Sequence, residues 1–296
     1  MDFKNELSKY QEQINTELQK YLRKQDCPER ILNSAMEYSL MAGGKRLRPT
    51  LVLSTYKLFK ENLEEAMPYA ISIEMVHNAS LIHDDLPGID NDDFRHGKLT
   101  NHKKFNEATA ILAGDGLFNH AYIVISNDLL NTKNEQELNR KLRIFNEFSV
   151  ATDRMLAGEY LDTECEGKNI SNEELKYIHK NKTGAYLRLC ARMGAILGGA
   201  TENQLEKITE YAEKIGLAFQ IKDDILSEIG DEKITGKPVG NDREKGKCTY
   251  VSEYGLEKSK EILHQITSEA IGELDEFGEK AEFLVSLARY IETRNK

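Results

Sequence analysis

Apolar residues recur at three- and four-residue spacing along much of the chain, as in Ile71, Met75, Ala79 and Ile82, and again in Ile215, Phe219 and Leu226. That spacing marks one face of an α-helix, whereas a half-buried strand alternates. Alternating Val/Ile/Thr runs joined by Asn-Gly or Asp-Gly turns, which would signal hairpins, are scarce. Only five prolines interrupt 296 residues. The pattern predicts an all-α protein. Breaks fall at Gly43-Gly44 with Pro49, at Pro87-Gly88, around Gly167-Lys168-Asn169, and in a Gly-, Lys- and Asp-rich segment from Gly230 to Lys247. None has the composition of an interdomain linker, so residues 1–296 are expected to form one large domain of antiparallel helices.

Composition narrows the function. With 40% hydrophobic and 30% charged residues at 33.7 kDa, the chain has enough apolar content to fold without disulfides or a structural metal. Fifty acidic against forty basic side chains leave a net charge of −10. Broad nucleic-acid affinity is therefore not expected, and a site for an anion must come from a local cluster working against the overall field. Cys27, Cys165, Cys190 and Cys248 lie far apart with no C-x-x-C pair, which reads as reduced thiols in a cytosol. Met1-Asp2-Phe3-Lys4-Asn5-Glu6 carries charge where a signal peptide needs an apolar run, and no stretch of about 18 uncharged apolar residues occurs. The expectation is a soluble, cytoplasmic protein without membrane insertion.

Two Asp-Asp pairs, Asp84-Asp85 and Asp223-Asp224, each follow an apolar helical tract, as one site built from two halves would require. The first lies in Ser80-Leu81-Ile82-His83-Asp84-Asp85-Leu86-Pro87-Gly88-Ile89-Asp90-Asn91-Asp92-Asp93-Phe94-Arg95, where five carboxylates crowd ten positions. On an unbroken helix residues six apart point roughly 120° away from each other, so Asp84 and Asp90 could not share a ligand. Pro87-Gly88 breaks the helix and lets the chain bring Asp90 back beside Asp84. The result is an oxygen-only site of the kind that suits magnesium, which keeps waters and substrate phosphates beside a few carboxylates. A solvated acidic turn accounts for the cluster equally well on an acidic protein. In Phe219-Gln220-Ile221-Lys222-Asp223-Asp224-Ile225-Leu226-Ser227, Asp223 lies one turn from Ser227 and near Gln220, so the three could line a cleft, although surface Asp pairs are ordinary.

Gly43-Gly44-Lys45-Arg46-Leu47-Arg48-Pro49 sets three cations within four residues after a glycine pair. Glycines let backbone amides approach an anion, and Arg holds phosphate oxygens in a fork while Lys adds a mobile charge. The alternative is a helix C-cap with basic residues in the turn. Lys182-Thr183, Lys237 and Lys247 are further candidate diphosphate contacts.

These segments, with His77, Lys182-Thr183-Gly184-Ala185-Tyr186 and Gly246-Lys247-Cys248-Thr249-Tyr250, resemble in content and order the landmarks of the trans-prenyl diphosphate synthases, from about residue 30 to 255. The four residues between Asp85 and Asp90 match the bacterial and plant-plastid form of the first motif. The resemblance implies an isoprenoid-synthase domain in which two aspartate motifs face each other across a central cavity and hold three magnesium ions (Mg2+) on an allylic diphosphate. It implies Asp84, Asp85 and Asp90, with Asp162 assisting, as metal ligands on one side and Asp223 on the other. Arg95, Lys182 and Lys237 would grip the allylic diphosphate, and Lys45, Arg48, His77 and His96 the isopentenyl diphosphate. Lys182, Thr183 and Gln220 would line the reacting centre, with Ala79 and Ser80 setting chain length. A homodimer making farnesyl or geranylgeranyl diphosphate is implied.

Three positions depart from the pattern. Arg95-His96-Gly97 stands where most relatives have Arg-Arg-Gly, Glu159 where Gln is common, and Ser227 where many have Asp. Ala79, five residues before Asp84, is small where fifteen-carbon synthases place an aromatic ring, which predicts growth to twenty carbons or more unless Phe118 or Met75 closes the tunnel. A competing reading takes His77, His83-Asp84 and later Asp residues as ligands of an all-α metal phosphohydrolase, but leaves Lys45, Arg48 and Asp223-Asp224 without a role. A non-catalytic partner subunit is a third reading.

Overall fold

The computed structural model describes residues 2–22, 26–165, 168, 171–229 and 249–295. Lys237, Lys247 and Cys248 lie outside the described residues, as does the side chain of Thr183. The chain forms two compact units, Asp2–Phe145 and Asn146–Lys296.

The first unit contains α1 (Phe3–Lys20), α2 (Arg30–Leu40), α3 (Leu47–Tyr56), α4 (Met67–Asp84), α5 (Asn101–Lys104), α6 (Glu107–Asn131) and the start of α7 (Glu135–Glu164). Helix α4 is buried on nearly every side, including Ile71, Met75, Ala79 and Ile82, as an all-round apolar helix must be. It packs along α6, whose Ala110, Ala113, Gly114 and Ala121 keep the shared face thin. By length and composition α6 could cross a membrane; here its buried side is spent on α4 and α2, while Ile111, Leu112 and Ile123 are exposed.

The second unit contains the rest of α7, then α8 (Asn172–His179), a π-helical segment Lys180–Gly184, α9 (Ala185–Gly198), α10 (Glu202–Ile229), α11 (Tyr250–Tyr254), α12 (Leu256–Gly272) and α13 (Glu282–Thr293). Helix α10 packs against α9, α12 and α13. Its buried stripe is Leu205, Ile208, Ala212, Ile215, Ala218, Ile221 and Ile225. Phe219 and Leu226, expected on that stripe, are only half-buried because the core face passes through Ala218 and Ile225, one position before each of them.

The all-α expectation holds apart from a minimal antiparallel ladder, β1 (Phe94–Arg95) with β2 (Lys98–Leu99). Its turn residues His96 and Gly97 have φ of 52° and 75°, the left-handed pair that a tight two-residue hairpin needs. His96 hid this turn, since Asn-Gly or Asp-Gly is its usual signature.

Candidate active site

In the first unit, the Gly43-Gly44 loop joins α2 to α3. Gly43, Gly44 and Arg46 have φ of 112°, 108° and 51°, so the segment is a strained loop and no simple helix cap. Arg46 turns inward. It is buried, with Nη1 donating to Glu74 Oε1 at 2.5 Å, Nη2 to the Leu40 carbonyl at 2.6 Å and Nε to Asn15 Oδ1 at 3.0 Å. Gln11 Nε2 donates to the Lys45 carbonyl at 2.9 Å. Of the three cations expected to form a clamp, Arg46 instead ties the loop to α4, and Lys45 and Arg48 are half-buried.

Arg48 Nη1 lies 3.2 Å from His77 Nε2. Burial first, and then the Arg48 charge, push His77 well below the ordinary histidine range, so His77 is neutral and its Nε2 accepts from Arg48. His96 lies against the same loop, since a Cβ on Gly44 would sit 3.4 Å from its Nε2. Burial, then the charges of Arg95, Arg46 and Lys45, lower His96 as well.

At the end of α4 the predicted return occurs. The Asp90 amide donates to the Asp84 carbonyl at 2.8 Å, and the Ile89 and Asn91 amides donate to Leu86 at 2.9 and 3.1 Å. The five carboxylates are then sorted. Asp85 is buried and accepts from Arg95 Nε at 3.0 Å and also from Nη2; burial pushes its carboxyl up against the pull of Arg95. Asp92 also reaches Arg95, and Asp93 pairs with Lys103 at 2.8 Å. Asp84 is half-buried and Asp90 exposed, and the backbone bond between them brings the two residues together. Asp85 thus stands as the buried anchor of Arg95, set apart from that pair by its burial.

The histidines of the competing reading are used otherwise. His83 Nε2 lies 3.1 Å from the Ile111 carbonyl and its ring packs on Phe118, over Gly114, where a Cβ would clash at 2.1 Å. Ser80 donates to the His77 carbonyl at 3.0 Å, and Ala79 is fully buried.

In the second unit, Lys182 sits in the π-helical segment, a local widening often found at functional sites. Its Nζ is 2.9 Å from Glu159 Oε2 and 2.6 Å from Asp162 Oδ2. Burial alone would lower the ammonium, but the two carboxylates hold it well above the usual lysine range. Gly158 lets the segment approach α7: a Cβ there would be 2.4 Å from the Lys182 backbone nitrogen. On α10, Gln220 and Ser227 are half-buried. Asp224 is buried and accepts from the Tyr250 amide at 2.8 Å, so it fixes the start of α11. Asp223 accepts from Arg294 Nη2 at 2.5 Å. Sequence reasoning missed Arg294, whose partner lies 71 residues away, and Gly158, whose only signal was a glycine inside a helical pattern.

The Polyprenyl synthetase family model matches residues 29–287. The chain belongs to the polyprenyl synthetase family. It is 43% identical over 261 residues to the farnesyl diphosphate synthase of Geobacillus stearothermophilus, covering 87% of this chain and 86% of that protein. To the chloroplastic geranylgeranyl pyrophosphate synthase of Capsicum annuum it is 42% identical over 267 residues, covering 90% and 72%. The apo FPP/GFPP synthase of Zymomonas mobilis superposes with a TM-score of 0.87 at 34% identity over 99% of both chains.

Polyprenyl synthetases are generally magnesium-dependent, and the donors of this one fit that ion. Asp84 and Asp90 offer oxygen only, and no group of three or more His, Cys, Asp or Glu forms a ready cage among the described residues. A hard ion that keeps its waters and takes substrate phosphates needs no such cage.

Proposed function

We infer that this polyprenyl synthetase is a short-chain trans-prenyltransferase, condensing isopentenyl diphosphate with an allylic diphosphate to give farnesyl or geranylgeranyl diphosphate. The observation that carries the residue-level reading is the return of Asp90 to Asp84 across the Pro87-Gly88 break. Asp84 and Asp90 in the first unit, and Asp223 in the second, are the residues proposed to hold magnesium, three ions in all. Bound magnesium supplies charge neutralisation to the diphosphate that leaves as the allylic carbon–oxygen bond breaks. Arg95, held by Asp85, and Lys182, held by Glu159 and Asp162, bind the allylic diphosphate. Lys45, Arg48 and neutral His77 bind the diphosphate of isopentenyl diphosphate. Thr183 and Gln220 offer oxygen dipoles to the carbocation, and the proton lost after attack goes to the departing diphosphate, so no separate base is needed.

The test is elongation. Purified protein is given magnesium, labelled isopentenyl diphosphate and dimethylallyl, geranyl or farnesyl diphosphate, and products are separated by length. No elongation by folded protein would sink the reading, and phosphate release from a nucleotide instead would favour the phosphohydrolase.

Ala79 shares the α4 face of His83, one turn on, where Phe118 packs. The small side chain is proposed to leave room for twenty carbons, with Phe118 as the limit beneath it. Ala79→Tyr is expected to shift the products toward fifteen carbons or fewer; an unchanged distribution counts against this.

His96 supplies charge only when protonated. Because its pKa is lowered, that charge appears only below the ordinary histidine range and is lost as pH rises through the lowered value. His96→Arg is expected to lower the KM for isopentenyl diphosphate several-fold at mildly alkaline pH, with the gap narrowing in mild acid. A ratio constant with pH would refute it.

Ile111, Leu112 and Ile123 expose an apolar face on α6. A homodimer through that face is proposed, and light scattering should give twice 33.7 kDa. A cytoplasmic location is proposed from the thiols at Cys27, Cys165 and Cys190.

A further inference from the structure

We infer that Arg294 sets the charge of the second aspartate motif, so that Asp223 takes a divalent cation only together with a diphosphate. The inference rests on the reading of Asp223 as a metal ligand. Arg294 arrives from the end of α13. Its guanidinium stacks 4.1 Å above the Phe219 ring and donates through Nη2 to the Phe219 carbonyl at 3.3 Å and to Asp223 Oδ1 at 2.5 Å. The arginine side chain is only 4% exposed, whereas that of Asp223 is 46% exposed. A permanent, fixed and desolvated cation therefore backs a carboxylate whose front is open to solvent.

The charge balance of the two motifs differs as a result. Around Asp223, the neighbouring Asp224 is buried on the Tyr250 amide, Lys222 lies on the same helix, and Arg294 matches Asp223 directly. In the first motif, Asp85 and Asp92 share Arg95, and Asp93 pairs with Lys103, among five carboxylates in ten positions. A free dication approaching Asp223 meets a neutralised carboxylate with a positive charge behind it. A dication that arrives bound one-to-one to diphosphate is a net anion, for which the same guanidinium is attractive. Arg294 is in this sense a positioning residue: it holds Asp223 in one orientation and couples metal binding at that carboxylate to the substrate's diphosphate. Such coupling is reciprocal in free energy.

The experiment is a Mn2+ titration followed by electron paramagnetic resonance of the free ion, on full-length parent, Arg294→Gln, Asp223→Asn and the double variant, with and without inorganic pyrophosphate. Without pyrophosphate, the parent and Asp223→Asn are expected to give the same isotherm. Arg294→Gln is expected to bind one further Mn2+ about tenfold more tightly than the parent, and the double variant to lose that gain. With pyrophosphate, the parent and Arg294→Gln should bind equal numbers of ions. An Arg294→Gln isotherm that superposes on the parent's, or a gain that survives Asp223→Asn, overturns the inference. Phe219→Leu, which removes the ring that seats the guanidinium and keeps both charges, is the second variant should Arg294→Gln fail to fold; it is expected to show part of the gain, and no gain overturns the inference equally. Turnover separates the two readings: full activity in Asp223→Asn removes Asp223 as a ligand, whereas its loss with unchanged Mn2+ binding in Arg294→Gln removes only the role of Arg294.

Discussion

Replacing Lys182 by alanine is expected to lower turnover about 10²–10³-fold, the loss typical when one preorganised charge donor to a developing anion is removed. The local geometry makes the effect larger than the loss of one cation. Lys182 holds Glu159 at 2.9 Å and Asp162 at 2.6 Å. Without the ammonium, two carboxylates face an incoming diphosphate uncompensated, and like charges repel it. The KM for the allylic substrate should therefore rise along with the fall in kcat, while the KM for isopentenyl diphosphate stays near the parent value. Adding Glu159→Gln to Lys182→Ala removes one of the stranded charges and should recover part of the allylic affinity. Steady-state kinetics with geranyl and isopentenyl diphosphates varied separately would check this. A loss below tenfold, or one confined to isopentenyl diphosphate, would move Lys182 out of the allylic site.

What was readable in the chain follows from what is local. The helical tract Ile71, Met75, Ala79 and Ile82 is buried as its spacing predicts, because burial within one helix depends on neighbours three and four residues away. The return of Asp90 to Asp84 was legible for the same reason, since a Pro-Gly break acts on the residues beside it. Side-chain direction was not. Arg46 and Arg48 differ by two positions and look equivalent in sequence, yet a left-handed backbone at Arg46 sends one inward to Glu74 and leaves the other beside His77. Asp84 and Asp85 divide similarly, because Asp85 is buried on Arg95 of the hairpin that His96-Gly97 turns, whereas Asp84 is half-buried. Arg294 was beyond reach, for its partners Phe219 and Asp223 are brought to it only by the packing of α13 on α10.

Gly158→Ala offers the sharper test of how the second unit places its lysine. On helix propensity alone alanine is favoured over glycine inside a helix by about 1 kcal/mol, which would predict a more stable protein. Contact predicts the reverse. The added methyl would lie 2.4 Å from the Lys182 nitrogen, 2.9 Å from its Cα and 3.0 Å from the Asn181 carbonyl carbon, all of them backbone atoms that no change of rotamer can move aside. Helix α7 and the π-helical segment must then separate, and overpacking of this kind costs about 1–3 kcal/mol. The same displacement carries Lys182 away from Glu159 and Asp162, and a shift of roughly 1 Å in a positioning group is enough for about a 10²-fold loss of rate. Gly272→Ala, near the end of α12 with nothing within 4 Å of the new methyl, is the control and should leave melting and turnover near the parent values. The expected result for Gly158→Ala is a lower melting temperature together with a large fall in kcat. A variant that melts higher than the parent and turns over at its rate would show that α7 tolerates the methyl, and that the close approach is not what holds Lys182 in place.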